Sequence, residues 1–240
     1  VAIARRSTAG TVGGSPGTSG VFTSPAGGVA DDIVIFRVSG VNSGGEAAPT
    51  ITPPDGTWTE DTNAWANQTN ATPDHTIKSF WKRLTGNIAA TYTFTFSVSS
   101  YYQAIGVCYS GCVTSGSPID SSGATVAVTD SLDATANAIT TVLDNTMLIF
   151  WGSSFNYAYQ GALPSGMSSA VTSSNLYTAQ EARPTAGTTG SKVSVGAVPS
   201  GDKTTGALEA LAPPSAGGIP PGLGPTTQIG QVNMPLIGWY

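Results

Sequence analysis

Thr91-Tyr92-Thr93-Phe94-Thr95-Phe96-Ser97-Val98 alternates hydroxyl-bearing and apolar residues with a period of two. A strand turns successive side chains to opposite faces, so Tyr92, Phe94, Phe96 and Val98 are predicted to face a core and the hydroxyls water. The run Ala104 to Tyr109 that follows is small and apolar. Upstream, Asp31-Asp32 precedes Ile33–Val38, whose unbroken apolar character predicts a strand covered on both faces. Thr76–Leu84 predicts another strand, with Ile77 inward and either Phe80 or Trp81 beside it according to register. Helical periodicity is almost absent.

The same cadence then recurs. Ile33-Val34-Ile35-Phe36, the turn Pro54-Asp55-Gly56, Phe80-Trp81, Thr85-Gly86 and Tyr92–Tyr109 form a first pass. Met147-Leu148-Ile149-Phe150, Pro164-Ser165-Gly166, Leu176–Gln180, Ala186-Gly187, Lys192–Val198 and Gly206–Leu211 form a second. Phe36 and Phe150 stand 114 positions apart and Gly86 and Gly187 stand 101 apart, so the order persists while the loops shorten. Four or five strands expose an apolar face that they cannot cover alone, and two such faces close a core between them. Many short strands with frequent turns then predict an all-β fold: a jelly-roll-like β-sandwich built from two similar halves, about 33–109 and 147–211. Leu143-Asp144-Asn145, between Asn137–Val142 and Met147–Trp151, carries hairpin chemistry.

One domain from 20 to 212 is expected, because nothing between Gly116 and Ala136 reads as a long flexible linker. Residues 1–19 read as an N-terminal arm or edge strand, since Ser7–Gly20 is poor in apolar residues. Residues 213–240 begin Pro-Pro-Ser-Ala-Gly-Gly-Ile-Pro-Pro-Gly and end Met234-Pro235-Leu236-Ile237-Gly238-Trp239-Tyr240. A Pro/Gly segment cannot fold itself, so it reads as an extended docking arm with Met234, Leu236, Ile237, Trp239 and Tyr240 as its anchors.

Only 10% of residues are charged, against roughly 25% in an ordinary soluble domain, and Thr, Ser, Gly and Ala fill the gap. Such composition suits sheet faces that are wet without being charged, as on extracellular and virion surfaces. The net charge is −5 and the basic residues are scattered, with Arg5-Arg6 and Lys82-Arg83 the only close pairs. Phosphate backbones select clustered cations, so no nucleic-acid partner is expected. No apolar run approaches the roughly 18 residues of a membrane helix, so no membrane insertion is expected.

Ionisable chemistry is sparse. The single histidine, His75, in Pro73-Asp74-His75-Thr76, reads as closing a loop before a strand, and no Gly-x-Ser-x-Gly elbow supplies a nucleophile. Glu46, Asp55, Glu60, Asp61 and Asp74 could supply a glycosidase carboxylate pair, but they read as solvated turn formers in loops. Asp31, Asp32, Asp120, Asp130, Asp133 and Asp144 lack the spacing of a calcium loop. Cys108 and Cys112 would lie about 13 Å apart along a strand, beyond the roughly 4.4–6.8 Å of a disulfide, so free thiols are expected unless Ser110-Gly111 turns sharply. No catalytic residue, cofactor or metal follows from these residues. Trp58 and Trp65 flank a loop, Thr57–Thr72, rich in Asn, Thr and Gln; aromatics beside amides suit neutral glycans, and equally both rings could plug the end of the sandwich.

Ser24-Pro25-Ala26-Gly27, Asp31-Asp32-Ile33-Val34-Ile35 and Pro53-Pro54-Asp55-Gly56-Thr57-Trp58 resemble a β-sandwich family of tailed bacteriophages. Phe80-Trp81-Lys82, Tyr92-Thr93-Phe94-Thr95-Phe96, Ala104–Gly111 and Ser117-Pro118-Ile119-Asp120 continue the resemblance across about residues 2–212. Cys108, Cys112 and the Pro/Gly tail depart from it. Members are minor tail, fibre or head-decoration proteins, so the resemblance implies a non-enzymatic structural protein on the virion surface, assembled in the host cytoplasm. The implied partners are other capsid or tail subunits and further copies of this chain. Head decoration is the leading expectation. The alternatives are a tail-fibre or minor tail adhesin that binds host surface glycan through Trp58 and Trp65, and a self-assembling surface filament subunit.

Overall fold

A computed structural model describes residues 2–13, 15–44, 47–68, 75–155, 158–198 and 202–214, the side chains of 12, 64–68, 128–130 and 202 excepted. Among these residues the fold is all-β and contains no helix. The first half holds β1 (Ala4–Val12), β2 (Gly17–Thr23), β3 (Ile33–Asn42), β4 (Ile51–Thr52), β5 (Thr59–Gln68), β6 (His75–Arg83) and β7 (Thr91–Ser110). The second holds β8 (Ile119–Ser122), β9 (Val126–Ser131), β10 (Ala134–Ala136), β11 (Thr140–Thr141) and β12 (Thr146–Ser154), then β13 (Ser168–Ser173), β14 (Leu176–Arg183), β15 (Gly187–Thr188), β16 (Lys192–Ser194) and β17 (Asp202–Leu211).

The repeated cadence is a repeated topology. The first sheet runs β1-β7-β3-β6-β5 and the second β8-β17-β12-β14-β13. Each has a central apolar strand, β3 or β12, that is paired on one side by the last strand of its half and on the other by the second strand after the Pro-x-Gly turn, the first being the sheet edge. The flanking pairs correspond too. β1 takes the C-terminal half of β7 and β2 its N-terminal half, as β8 and β9 do along β17.

Both central strands are apolar on both faces because both faces are covered. Ile33 and Ile35 of β3 and Met147, Ile149 and Trp151 of β12 meet in a central core between the sheets. The intervening residues face outward into two separate clusters: Val34, Phe36 and Val38 into one, Leu148 and Phe150 into the other. The twenty-residue β7 closes the first of these. Its C-terminal half lies between β1 and β3, and its N-terminal half turns over the outer face, so that Phe94 stacks near Phe36, Trp58 and Phe80. The alternation at 91–98 lies in this half: Phe94 and Phe96 are buried, Tyr92 and Val98 half-buried, and the intervening Thr and Ser exposed. At Gly106 a Cβ would stand 2.8 Å from the Phe36 ring, so glycine is what lets the ring approach β7 this closely.

Two local expectations are corrected. Thr57–Thr72 is not a loop over its first part: Thr59–Gln68 is β5, paired with β6, because its polar residues suit an exposed sheet edge. Asn145 does turn the chain, with φ +59, but β11 does not pair with β12. Both edges of β12 are filled by β14 and β17, so Thr140–Thr141 pairs instead with Gly187–Thr188. Within 1–19, Ala4–Val12 and Gly17 onward are strands on β7. Residues 215–240, with the anchors Met234, Leu236, Ile237, Trp239 and Tyr240, lie outside the described residues.

Candidate functional site

Where the central core gives way to polar residues, one row of side chains crosses each sheet. In the first sheet Arg37 on β3 pairs with Ser79 on β6, and Ser79 with Asp61 on β5. In the second, Glu209 on β17 lies between Ile149 of β12 and Ser122 of β8. The small Ser79 leaves space between Arg37 and Asp61. All four groups that could carry charge or donate here, Arg37, Asp61, Glu209 and Trp151, are at most 8% exposed.

A buried charge needs a partner, and these groups partner one another across the sheets. Ser122 Oγ donates to Asp61 Oδ1 at 3.1 Å, and the Asn63 amide N–H donates to the same oxygen at 3.0 Å. Trp151 Nε1 donates to Glu209 Oε2. The second oxygens, Asp61 Oδ2 and Glu209 Oε1, are buried with no hydrogen-bond partner among the described residues. Burial pushes the Glu209 carboxyl up to about 8, and Asp61 pushes in the same direction against Arg37 and Trp151. Burial pulls Arg37 down to about 10, with Glu209 and Asp61 opposing, so it stays cationic at neutral pH.

His75 opens β6 and is buried on the same side. Its Nε2 lies 2.5 Å from Ser39 Oγ, and its ring meets Phe155 edge-on at 3.9 Å between centroids. A Ser–His contact is half of a nucleophile–base arrangement, but the Nδ1 side that an orienting acid would occupy has no partner. Burial and the nearby Arg37 pull the imidazole down to about 3, so it is neutral. Ser39 and His75 are 1% and 2% exposed, which closes them to a substrate.

Outside this buried row lies a cleft of about 490 Å³ between β5 and β8, lined by Thr59, Asp61, Asn63, Trp81, Asp120 and Ser122 among others. Trp81 is half-buried, one side packed on the central core. Asp120 Oδ2 accepts from the Val142 amide at 2.9 Å, while Asp120 Oδ1 has no protein donor. Glu60 pairs with Lys78 at 2.9 Å.

Of the two tryptophans that could hold glycan or plug the end of the sandwich, Trp58 is 6% exposed. Its ring packs against Phe36, Tyr92 and Phe94 beneath Lys82, so no face is open to a sugar. The Trp65 side chain lies outside the described residues, as do Glu46 and Asp74. Glu60 and Asp61 are strand residues rather than loop acids. Cys108 and Cys112 are unbridged and buried, and desolvation pushes both thiols up to about 12. Among the described residues no group of three His, Cys, Asp or Glu side chains could hold a metal ion. The sequence reading missed Arg37 and Glu209. Their signal was a single charge inside an otherwise apolar strand, Ile33–Val38 and Gly206–Leu211 respectively.

No protein-family model, curated protein or solved structure matches this chain.

Proposed function

We propose that the chain is a structural protein of a bacteriophage virion, a decoration or cement subunit that docks on its neighbours through its terminal segments. The observation that carries this reading is the strand-for-strand duplication, in which both halves of the polypeptide build one scaffold sealed on three apolar cores. The hydroxyl-rich outer positions of β7 and β13 and the resemblance in residues 2–212 support it as well. The ionisable groups with the most unusual surroundings bind one sheet to the other, which suits cohesion. Deletion of 213–240 tests the docking step. The truncated chain is expected to keep the unfolding transition of the two-sheet body while its incorporation into particles falls below a tenth. Full occupancy of the virion by the truncated chain would overturn the proposal.

A second reading, an adhesin for host glycans, draws support from the Trp81 cleft rather than from Trp58. An indole beside Asn63, Thr59 and the partly exposed Asp120 carboxylate offers a stacking face and hydroxyl acceptors. Tryptophan fluorescence titrated with neutral β-linked hexose and N-acetylhexosamine oligomers is expected to shift. The substitution Asp120→Asn, which retains an acceptor for Val142, is expected to weaken binding at least fivefold. Unchanged emission with every oligomer, or binding indifferent to the substitution, removes this reading and leaves the first untouched.

A further inference from the structure

The last strand hands the chain over beside the cleft between β5 and β8. Leu211 pairs with Ile119, and one residue further on the Ala212 N–H donates to Pro118 O at 2.8 Å. Ala212 O accepts in turn from the Val113 N–H at 2.9 Å. Pro213 and Pro214 bring no N–H of their own, so the ladder of β17 stops there. The residues on either side of Pro118, Ser117 and Ile119, both line the cleft. Polypeptide therefore leaves the two-sheet body at the edge of this cleft.

The cleft itself is suited to an extended segment. β5 is paired on one side by β6 and β8 on one side by β17, so the space lies between two sheet edges. Trp81 and Ile119 give it an apolar floor backed by the central core, and Thr59, Thr62 and Asn63 give it polar walls. Apolar surface continues past Asp120, which holds the Val142 N–H: the Val142 side chain is 72% exposed, the most of any large apolar residue described, and Leu143 follows it. We propose that this cleft is the seat of the chain's own C-terminal segment, with Leu236, Ile237 and Trp239 entering between β5 and β8 of the same molecule.

Reach, chemistry and concentration select this occupant. Nineteen residues, 215–233, separate Pro214 from Met234. A flexible tether of that length has an end-to-end distance of about 24 Å. The β8 side of the cleft, from Ser117 to Ser122, runs about 17 Å, so the tether spans it. Residues 213–240 carry no charged side chain and enter beside Asp61 and Asp120 without a like charge, whereas an acidic partner is repelled by a chain of net charge −5. Their large apolar residues concentrate at 234–240, matching a cleft of about 490 Å³ that takes a few side chains and not a whole segment. A tether that spans its site supplies a millimolar effective concentration, while a second copy arrives only at the micromolar concentration of the protein. The inference rests on neither functional reading above. A segment seated in its own cleft is released before it grips a neighbour, and it competes with any glycan there.

Competition with a labelled peptide of residues 230–240 tests the seat in the full chain. In a variant carrying Leu236→Asp, Ile237→Asp and Trp239→Asp the cleft is vacated, and the peptide is expected to bind. Against a tether of about 1 mM, a peptide that half-saturates this variant at about 0.1 mM should need about tenfold more on the wild type. The weakening should not change with protein concentration. Trp81→Ala, added to the variant, is expected to abolish binding. Thr62→Arg, at an exposed position of the cleft wall, should do the same by filling it, which keeps the test open if loss of Trp81 loosens the core. Equal binding to wild type and variant, no binding to the variant, or binding that survives both cleft substitutions would overturn the proposal. So would a wild type that excludes the peptide only at concentrations where it dimerises, because a second copy's segment then fills the cleft. Incorporation into particles is measured separately and stands or falls on its own.

Discussion

The two halves share one strand order and differ in how each covers its outer face. The first half uses rings: Phe36 lies within 5.7–6.3 Å of the centroids of Phe22, Trp58, Tyr92 and Phe94. The second uses small side chains and tyrosines. Phe150 has Tyr177 at 6.0 Å, Tyr177 stacks on Tyr159 at 4.7 Å, and Ala134, Ala136, Ala179 and Ala210 fill the same cluster. The lids differ accordingly. β7 doubles over its own sheet in the first half, whereas β10, paired with β16, and the chain around Tyr159 cover the second. The central face is constrained by both halves at once, because any change there must fit the opposite sheet. Each outer face answers only to its own lid and is free to diverge.

Truncating the equivalent phenylalanines should separate the two covers by the widest margin. Phe36→Ala removes a ring that four others touch, and rings held by strands on several sides cannot collapse into the space. A loss of about 4–5 kcal/mol is expected, the upper end for such truncations. Phe150→Ala leaves a cavity bounded by alanines and one stacked tyrosine pair, for which about 3 kcal/mol is expected. Chemical denaturation of both variants checks the order. Equal losses, or a larger loss at Phe150, would mean that the aromatic cluster is no more rigid than its alanine-rich counterpart.

Much of this arrangement was legible in the residues. Ile33–Val38 and Met147–Trp151 are apolar at every position or nearly so, which is possible only for strands covered twice, and their spacing announced the duplication. The alternation at 91–98 gave the correct faces, since strand period does not depend on what lies opposite. Pairing partners were less legible. Leu143-Asp144-Asn145 has the chemistry of a hairpin, but a turn does not reveal that both edges of the following strand are already taken. Trp58 was open for a similar reason: an indole in a polar stretch suits a sugar or a plug at the end of the sandwich, and the position of Phe94 decides that Trp58 is a lid. The polar row was hidden because Asp61 and Glu209 are separated along the chain and meet only when the sheets pack. Arg37 alone, within Ile33–Val38, signalled that something anionic had to lie across from it.

The smallest expected effect tests whether the central face is shared evenly between its apolar and polar parts. Away from the polar row, Tyr109 on β7 donates its hydroxyl to Gln180 Oε1 on β14 at 3.0 Å, another hydrogen bond from sheet to sheet. Tyr109 is fully buried, and burial pushes its phenol well above the ordinary range, so it remains a donor between pH 6.5 and 8. Tyr109→Phe keeps the ring in the central core and removes only the donor, leaving Gln180 Oε1 to find another. A loss of about 1–2 kcal/mol is expected, independent of pH between 6.5 and 8. Thermal unfolding at both pH values checks it. A Tyr109→Phe loss that grows across this interval would mean that the bond is coupled to the titration of Glu209 and that the polar and apolar parts of the face open together.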